Sequence, residues 1–302
     1  MSDKVMCEVI CIGQAVVDCI VKGAKESNTP SARADSISIS IGGDAVNESI
    51  AINQLGHSAA PMIAVGDDTA GVVLLHELRK FNLCEDFISI MQRPFATPVA
   101  NLIVDDFGGR RSLNSPATKL TGYIPSAEKI SGAKIVSLAS IGRAPLADVN
   151  VILNIAKTAK ENGAIVCADT KLPTYTKLTL EDLAPALPYI DYIFPNEKEA
   201  AYYTGEEDYK SMAEKFSSFG IKNVIIKAGP EGCRALSDGK YFEIPALEVD
   251  AVDTTGAGDH FVAGFICALL ENKSFEECLL EGRAYASESI KYPGGTIGGN
   301  NG

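Results

Sequence analysis

The segment richest in chemistry is Asp253-Thr254-Thr255-Gly256-Ala257-Gly258-Asp259-His260-Phe261, which runs into Val262, Phe265, Ile266 and Leu269 at helical spacing. Glycines directly before a helix let the main chain close around an anion, and the unpaired N–H groups and dipole of the first turn favour negative charge there. Phosphate suits such a place. A carboxylate beside phosphate is repelled unless it has a task. Asp259 has one available: taking the proton of an attacking hydroxyl while the anion site holds a migrating phosphoryl group. Acidic residues also favour the first turn of any helix, so this segment alone leaves a purely structural Asp259 open.

Three weaker segments have compatible chemistry. In Ile41-Gly42-Gly43-Asp44-Ala45-Val46-Asn47, paired glycines at a strand end expose main chain to a ligand. Asn47, one turn into the following helix, offers donor and acceptor groups to a polar molecule such as a sugar. A tight turn before a helix explains the same residues. In Pro195-Asn196-Glu197-Lys198-Glu199, Asn196 and Glu199 share a helix face, giving oxygen ligands for hydrated Mg²⁺ or, equally, a structural cap. Lys227-Ala228-Gly229-Pro230-Glu231-Gly232 follows a strand and either lets a nucleotide approach or simply turns the chain.

These segments need a scaffold that sets them side by side. Val- and Ile-rich runs at 5–12, 135–139, 164–168, 190–194 and 224–227 lack polar alternation, as strands covered on both faces do. Helical patterns over 147–161, 197–204 and 209–219 separate them, so the chain predicts an α/β layered core with a parallel sheet. Ligands of such sheets bind beyond the carboxyl ends of the strands. Residues 16–22 with 36–41, and 99–105 with 110–114, break the alternation and predict two hairpins apart from the main sheet. Ile37, Ile39 and Ile41 share one face, which then needs cover. No repeat or linker marks a domain boundary, and the Gly- and Asn-rich tail 294–302 is expected to fray.

Composition removes whole classes of function. The 302 residues carry 27 Lys+Arg against 39 Asp+Glu, a formal charge of −12, which excludes a sequence-blind nucleic-acid binder because counterion release needs a basic face. No run approaches the ~18 consecutive apolar residues of a membrane helix. Residues 1–8 also lack the basic-then-apolar pattern of a secretion signal, so a cytoplasmic protein with no membrane partner is expected. The eight cysteines include no CxxC pair, and Cys7, Cys11, Cys167 and Cys233 sit in or beside apolar runs. Buried reduced thiols follow.

Together, Gly42-Gly43-x-x-x-Asn47, Asn196-x-x-Glu199, Lys227-Ala228-Gly229-Pro230-Glu231-Gly232 and Asp253-Thr254-Thr255-Gly256-Ala257-Gly258-Asp259 resemble, in order and spacing, the ribokinase/PfkB carbohydrate kinase family over essentially the whole chain. The resemblance implies a single ribokinase-like domain over 1–302. Its fold would be a three-layer Rossmann-like α/β unit with a mostly parallel sheet, topped by a small β-sheet lid from about 15–41 and 97–115. It further implies an ATP-dependent kinase of a small carbohydrate (sugar, ketose or sugar acid). Carried over by position, Asp259 becomes the catalytic base and Gly256, Ala257 and Gly258 the anion hole. Gln14, Asp18, Gly42, Gly43 and Asn47 become substrate contacts. Asn196 and Glu199 organise Mg²⁺, directly or through water, while Lys227, Gly229, Gly232 and Asn196 border the nucleotide. Asp253 and Thr255 fall in the loop that holds potassium in members needing a monovalent cation, and a homodimer paired through the lid is implied.

Departures bear on the acceptor. Val16 stands where ribose-specific members have Asn, which argues against ribose. Asp169-Thr170-Lys171 replaces an Asp-x-Asn-x-Arg pattern, leaving Lys171 a contact to phosphate or an acidic substrate, or a solvated turn lysine. An adenosine-type nucleoside acceptor is the alternative, and a non-catalytic sugar sensor a further one. Asp106-Phe107-Gly108 imitates a protein-kinase metal motif without its companion sequences and reads as a hairpin turn. The dinucleotide fingerprint fails at Ala15 and Asp18, and no Walker sequence occurs.

Overall fold

Short apolar strands buried on both faces form the centre of the molecule, as their unbroken Val/Ile composition requires. The computed structural model describes residues 7–23, 33–104 and 110–292, with main chain only at Arg110. The tail 294–302 and the Asp106-Phe107-Gly108 triplet lie outside the described residues. In chain order, β1 (Val9–Ile12) is followed by β2 (Val16–Lys22), β3 (Ser36–Gly42), α1 (Asp44–Gln54), β4 (Ala59–Gly66), α2 (Thr69–Arg79) and β5 (Ile88–Met91). Next come β6 (Val99–Val104), β7 (Arg110–Asn114), β8 (Ile135–Ile141), α3 (Val149–Glu161), β9 (Ile165–Thr170) and α4 (Leu180–Leu183). The chain closes with β10 (Tyr192–Phe194), α5 (Glu197–Thr204), α6 (Tyr209–Ser218), β11 (Asn223–Lys227), β12 (Cys233–Ser237), β13 (Lys240–Ile244), α7 (Ala257–Leu270) and α8 (Phe275–Ser289).

The nine-stranded central sheet has the order β13-β12-β11-β10-β9-β8-β1-β4-β5 and is parallel except at β12 and β13. Period-two side chains divide it into two cores. Ile10, Val136, Val166 and Ile193 pack with Ile152 of α3 and Phe216 of α6. Val9, Ile135, Cys167 and Phe194 pack with Ile50 of α1 and Phe265 of α7 on the other side. Three layers result, with the Phe194 and Phe265 rings meeting edge to face at 5.0 Å. Each such buried ring contributes roughly 1.5–3 kcal/mol, whereas an exposed pair such as Arg79–Glu85, at 2.7 Å, contributes about 0–1. Packing therefore holds the sheet.

Four strands escape the sequence reading. β4 contains Ala59, Ala60 and Pro61 in place of a Val/Ile run, β5 is a short edge strand, and β12 and β13 carry Arg234, Lys240 and Glu243. The Lys227–Gly232 stretch is the turn between antiparallel β11 and β12, the structural alternative recognised for it above.

A second sheet of four strands, β3-β2-β6-β7, contains both hairpins set apart by alternation. Ile37 and Ile39 are 67% and 63% exposed, while Ile41 on the same face packs against the core, so the described chain covers only one end of the apolar side. None of the eight cysteines is in a disulfide, and Cys7, Cys11, Cys167 and Cys233 are buried. Among the described residues no helix is long and apolar enough to cross a membrane.

Candidate active site

Parallel pairing puts the carboxyl ends of β1, β8, β9 and β10 on one edge of the sheet, and the starts of α1 and α7 converge there. Gly43 begins α1 at φ 98°; a Cβ at this position would strike the Gln14 carbonyl, so only glycine fits. Gly256 begins α7 at φ 72° and has no side chain to cap the first turn. Ala257 N donates to the Thr254 carbonyl at 3.3 Å, and the uncapped N–H groups that follow it in the turn are available to an anion.

Asn47 and Asp259, 212 residues apart, meet here: Asn47 Nδ2 donates to Asp259 Oδ2 at 2.7 Å. Asp259 is only 3% exposed. Asn47 Oδ1 is buried with no partner, a vacant acceptor that a bound hydroxyl would satisfy. Lys171 Nζ stands 3.3 Å from Asp44 Oδ1, 3.9 Å from Asp169 Oδ2 and 3.9 Å from Asp259 Oδ1. Lys227 Nζ donates to both oxygens of the fully buried Asp169 at 2.7 Å. It also lies 3.2 Å from where a Cβ on Gly258 would be, which sets its ammonium against the first turn of α7.

Burial pushes the Asp259 carboxyl above the ordinary range, against the opposing pull of Lys171 and the Asn47 hydrogen bond. Burial likewise carries Asp44 up to about 7, with Lys171 resisting and Asp259 adding repulsion. Burial works against the charge on Lys171, yet Asp44, Asp169 and Asp259 outweigh it and raise its pKa. The sign of the Lys171–Asp259 coupling is testable. A base with a raised pKa loses its ionised form as pH falls, and Lys171 keeps that fall at lower pH. We expect Lys171→Met to move the acid limb of the kcat/KM profile to higher pH; a limb at the parent position would show that Lys171 does not tune the carboxylate.

Of the other residues read from sequence, Asp18 and Gly42 come together: a Cβ on Gly42 would meet Asp18 Oδ2 at 2.6 Å. Gln14 Nε2 donates to the carbonyls of Thr118 and Ala144, each at 2.7 Å, and so ties the end of β1 to neighbouring loops. Asn196 and Glu199 form a reciprocal cap: Glu199 Oε2 accepts from Asn196 N at 2.9 Å and Asn196 Oδ1 from Glu199 N at 3.0 Å. Thr170 Oγ1 adds a bond to Glu199 Oε2 at 3.1 Å. The Asp253 carboxylate accepts from Thr255 N and Oγ1 at 2.9 and 2.6 Å. Gly229 and Gly232 hold the β11–β12 turn with positive φ. Among the described residues no three His, Cys, Asp or Glu side chains are set to hold a metal directly.

Sequence reasoning left Asp44 and Asp169 out of the site and Lys171 undecided. Their signal was positional: Asp44 opens α1, and Asp169 and Thr170 end β9 with Lys171 directly after it, both at strand ends where ligands of such sheets bind.

Fold and cleft together define a class, the α/β phosphotransferases of small molecules. A family model described as pfkB family carbohydrate kinase matches residues 6–300. The chain is 30% identical over 262 residues to a ribokinase of Haemophilus influenzae, spanning 85% of this chain and 83% of that one. It is 33% identical over 176 residues to a cytidine kinase of Thermococcus kodakarensis, spanning 56% and 60%. The solved structure of Arabidopsis thaliana ribokinase with ribose and ATP shares the fold, with a TM-score of 0.83 at 24% identity over 97% of this chain and 95% of that one. This chain belongs to the pfkB family of carbohydrate kinases and is a kinase.

Proposed function

We propose that the protein transfers the terminal phosphoryl group of ATP to a hydroxyl of a small carbohydrate, with Asp259 as general base. The observation carrying this is the burial of Asp259 at the start of α7, where Asn47 holds Oδ2 at 2.7 Å and Oδ1 stands 3.9 Å from Lys171 Nζ. In this reading Asp259 takes the acceptor's proton. Asn47 Oδ1, lacking a partner, receives a second hydroxyl. The N–H groups of the Gly256-Ala257-Gly258 turn, with Lys227 beside them, hold the migrating phosphoryl group. Asp18, Gly42 and Gly43 border the acceptor, and Gly229, Gly232 and Asn196 the nucleotide. Gln14 acts on the acceptor by fixing the loop after β8, since its amide nitrogen is committed.

The charges around this cleft fit Mg²⁺. Among the described residues Asp44, Asp169, Asp259 and Glu199 face only Lys171 and Lys227, an excess of negative charge that a polyphosphate would aggravate and a divalent cation relieves. Because the Asn196 and Glu199 oxygens already serve the cap, they would hold the ion through water, and the ion would supply charge neutralisation of the phosphates. We expect Glu199→Gln to raise the Mg²⁺ concentration for half-maximal rate by roughly tenfold, as loss of an outer-sphere partner does; an unshifted Mg²⁺ curve would count against the assignment. Asp253 and Thr255 extend the reading to potassium, on their family position. The small sheet serves as the lid, and its exposed Ile37 and Ile39 pair with a second copy.

Coupled ADP release across hexoses, ketoses, sugar acids, polyols and nucleosides tests the reading. Turnover with nucleosides alone would replace the carbohydrate acceptor by the nucleoside alternative, which the cytidine kinase relative favours.

A further inference from the structure

Beyond the end of β8 lies a second hollow, of about 320 Å³, whose lining includes Lys119, Gly142, Ala144, Thr174, Tyr175 and Thr176. It adjoins the cleft on two sides. Gly142 packs against the Lys171 carbonyl and the Tyr203 hydroxyl, and Gln14 donates to the carbonyl of Ala144. Lys171 therefore runs from the wall of the hollow to within 3.9 Å of Asp259.

Among the described residues no acidic side chain lines this space, in a chain of net charge −12. Its hydroxyls belong to Thr174, Tyr175 and Thr176, and the Lys119 ammonium stands 4.8 Å from the centroid of the Tyr175 ring. Arg143, between lining residues Gly142 and Ala144, reaches Thr174 Oγ1 through Nη1 at 2.9 Å. Its Nε is buried with no partner. Among the described residues neither Arg143 nor Lys119 has a carboxylate partner. The Tyr175 hydroxyl is shared with Thr118 Oγ1 at 2.8 Å, so the groups left to answer are the two cations, neither met by a carboxylate; these suit an oxyanion, whereas a neutral polyol would leave both charges uncompensated. The Lys119 ammonium covers one face of the Tyr175 ring, which leaves a stacking nucleobase a poorer occupant.

We propose that this hollow receives an anionic group, a carboxylate or a phosphate ester, carried by the phosphoryl acceptor, so that the substrate class is an acidic sugar. The proposal rests on the kinase reading for the role of the cleft and adds the acceptor's charge.

Two measurements test it. ADP release is followed with matched acceptors: a hexose and its aldonic acid, and a pentose and its monophosphate. We expect the acidic member of one pair to exceed its neutral partner in kcat/KM by roughly 10- to 100-fold, the worth of a charge-assisted hydrogen bond. The pair showing it distinguishes carboxylate from phosphate. Lys119→Met and Arg143→Gln should each shrink that ratio through KM. Lys119 is exposed, so its replacement leaves the core intact.

Independently of turnover, inorganic phosphate is titrated calorimetrically into the wild type and both variants. Phosphate held at the start of α7 is common to all three, so only the difference reports the hollow, and an affinity weakened roughly tenfold in the variants is expected. Identical titrations, or ratios at or below one in both pairs, overturn the proposal while the kinase reading stands. Absence of ADP release with every acceptor defeats the kinase reading instead, and the titration still decides the hollow.

Discussion

Asp259→Asn should cut turnover by roughly 10²–10⁴, the usual contribution of a general base, while ATP affinity stays within a few-fold. The amide keeps the volume of the carboxyl and can still accept the Asn47 hydrogen bond through its oxygen, so the geometry at the start of α7 is retained. Only proton acceptance is lost. Stability should not fall with it: burial raises the Asp259 pKa, which means the folded state resists its charge, and a neutral side chain removes that resistance. The variant should also lose the acid limb of the kcat/KM profile. Steady-state kinetics beside a thermal melt separate the outcomes. Parental turnover would remove Asp259 from the mechanism, and lost turnover with a lowered melting temperature would trace the defect to folding.

Lys227→Met should give the largest loss of stability. Asp169 has no exposed surface, the Lys227 side chain is 12% exposed, and their contacts measure 2.7 Å. Removing the ammonium strands a carboxylate in the interior, which costs about 3–5 kcal/mol. Lys171, 3.9 Å from the same carboxylate, compensates in part, so the lower end is expected. For a chain of this size that amounts to a fall of roughly 5–15 °C in melting temperature. Adding Asp169→Asn to Lys227→Met should recover much of the loss, because no charge is then left unpaired. A single variant that melts with the parent, or a double variant no more stable than the single, would show that the pair does not hold the strand ends. Nucleotide affinity should fall as well, since Lys227 sits against Gly258.

The two variants draw on residues that were legible to different degrees. Asp259 and its glycines were readable because local sequence alone builds a helix start: a positive-φ glycine and an uncapped first turn need no distant partner. The same holds for the two hairpins, whose alternation is a local property, and for the Asn196–Glu199 face. There locality reached its limit. Three-residue spacing gave a shared face, and the same spacing closes a reciprocal cap, which only the bonds its oxygens make could reveal.

Nothing in the sequence pairs Asn47 with Asp259 or Lys227 with Asp169. Those contacts span 212 and 58 residues and exist because parallel strands deliver their carboxyl ends to one edge, where α1 and α7 also start. Asp44 illustrates the same limit: its place beside Gly43 does not reveal the burial that carries its pKa up to about 7, with Asp259 adding repulsion and Lys171 opposing the rise. The sequence by itself determined the layered α/β class, the glycine-led start of α7 and the family, because periodicity and glycine geometry are short-range. Tertiary structure alone decided which carboxylates are desolvated and which cations answer them, because desolvation and Coulomb energy depend on neighbours that chain order does not record.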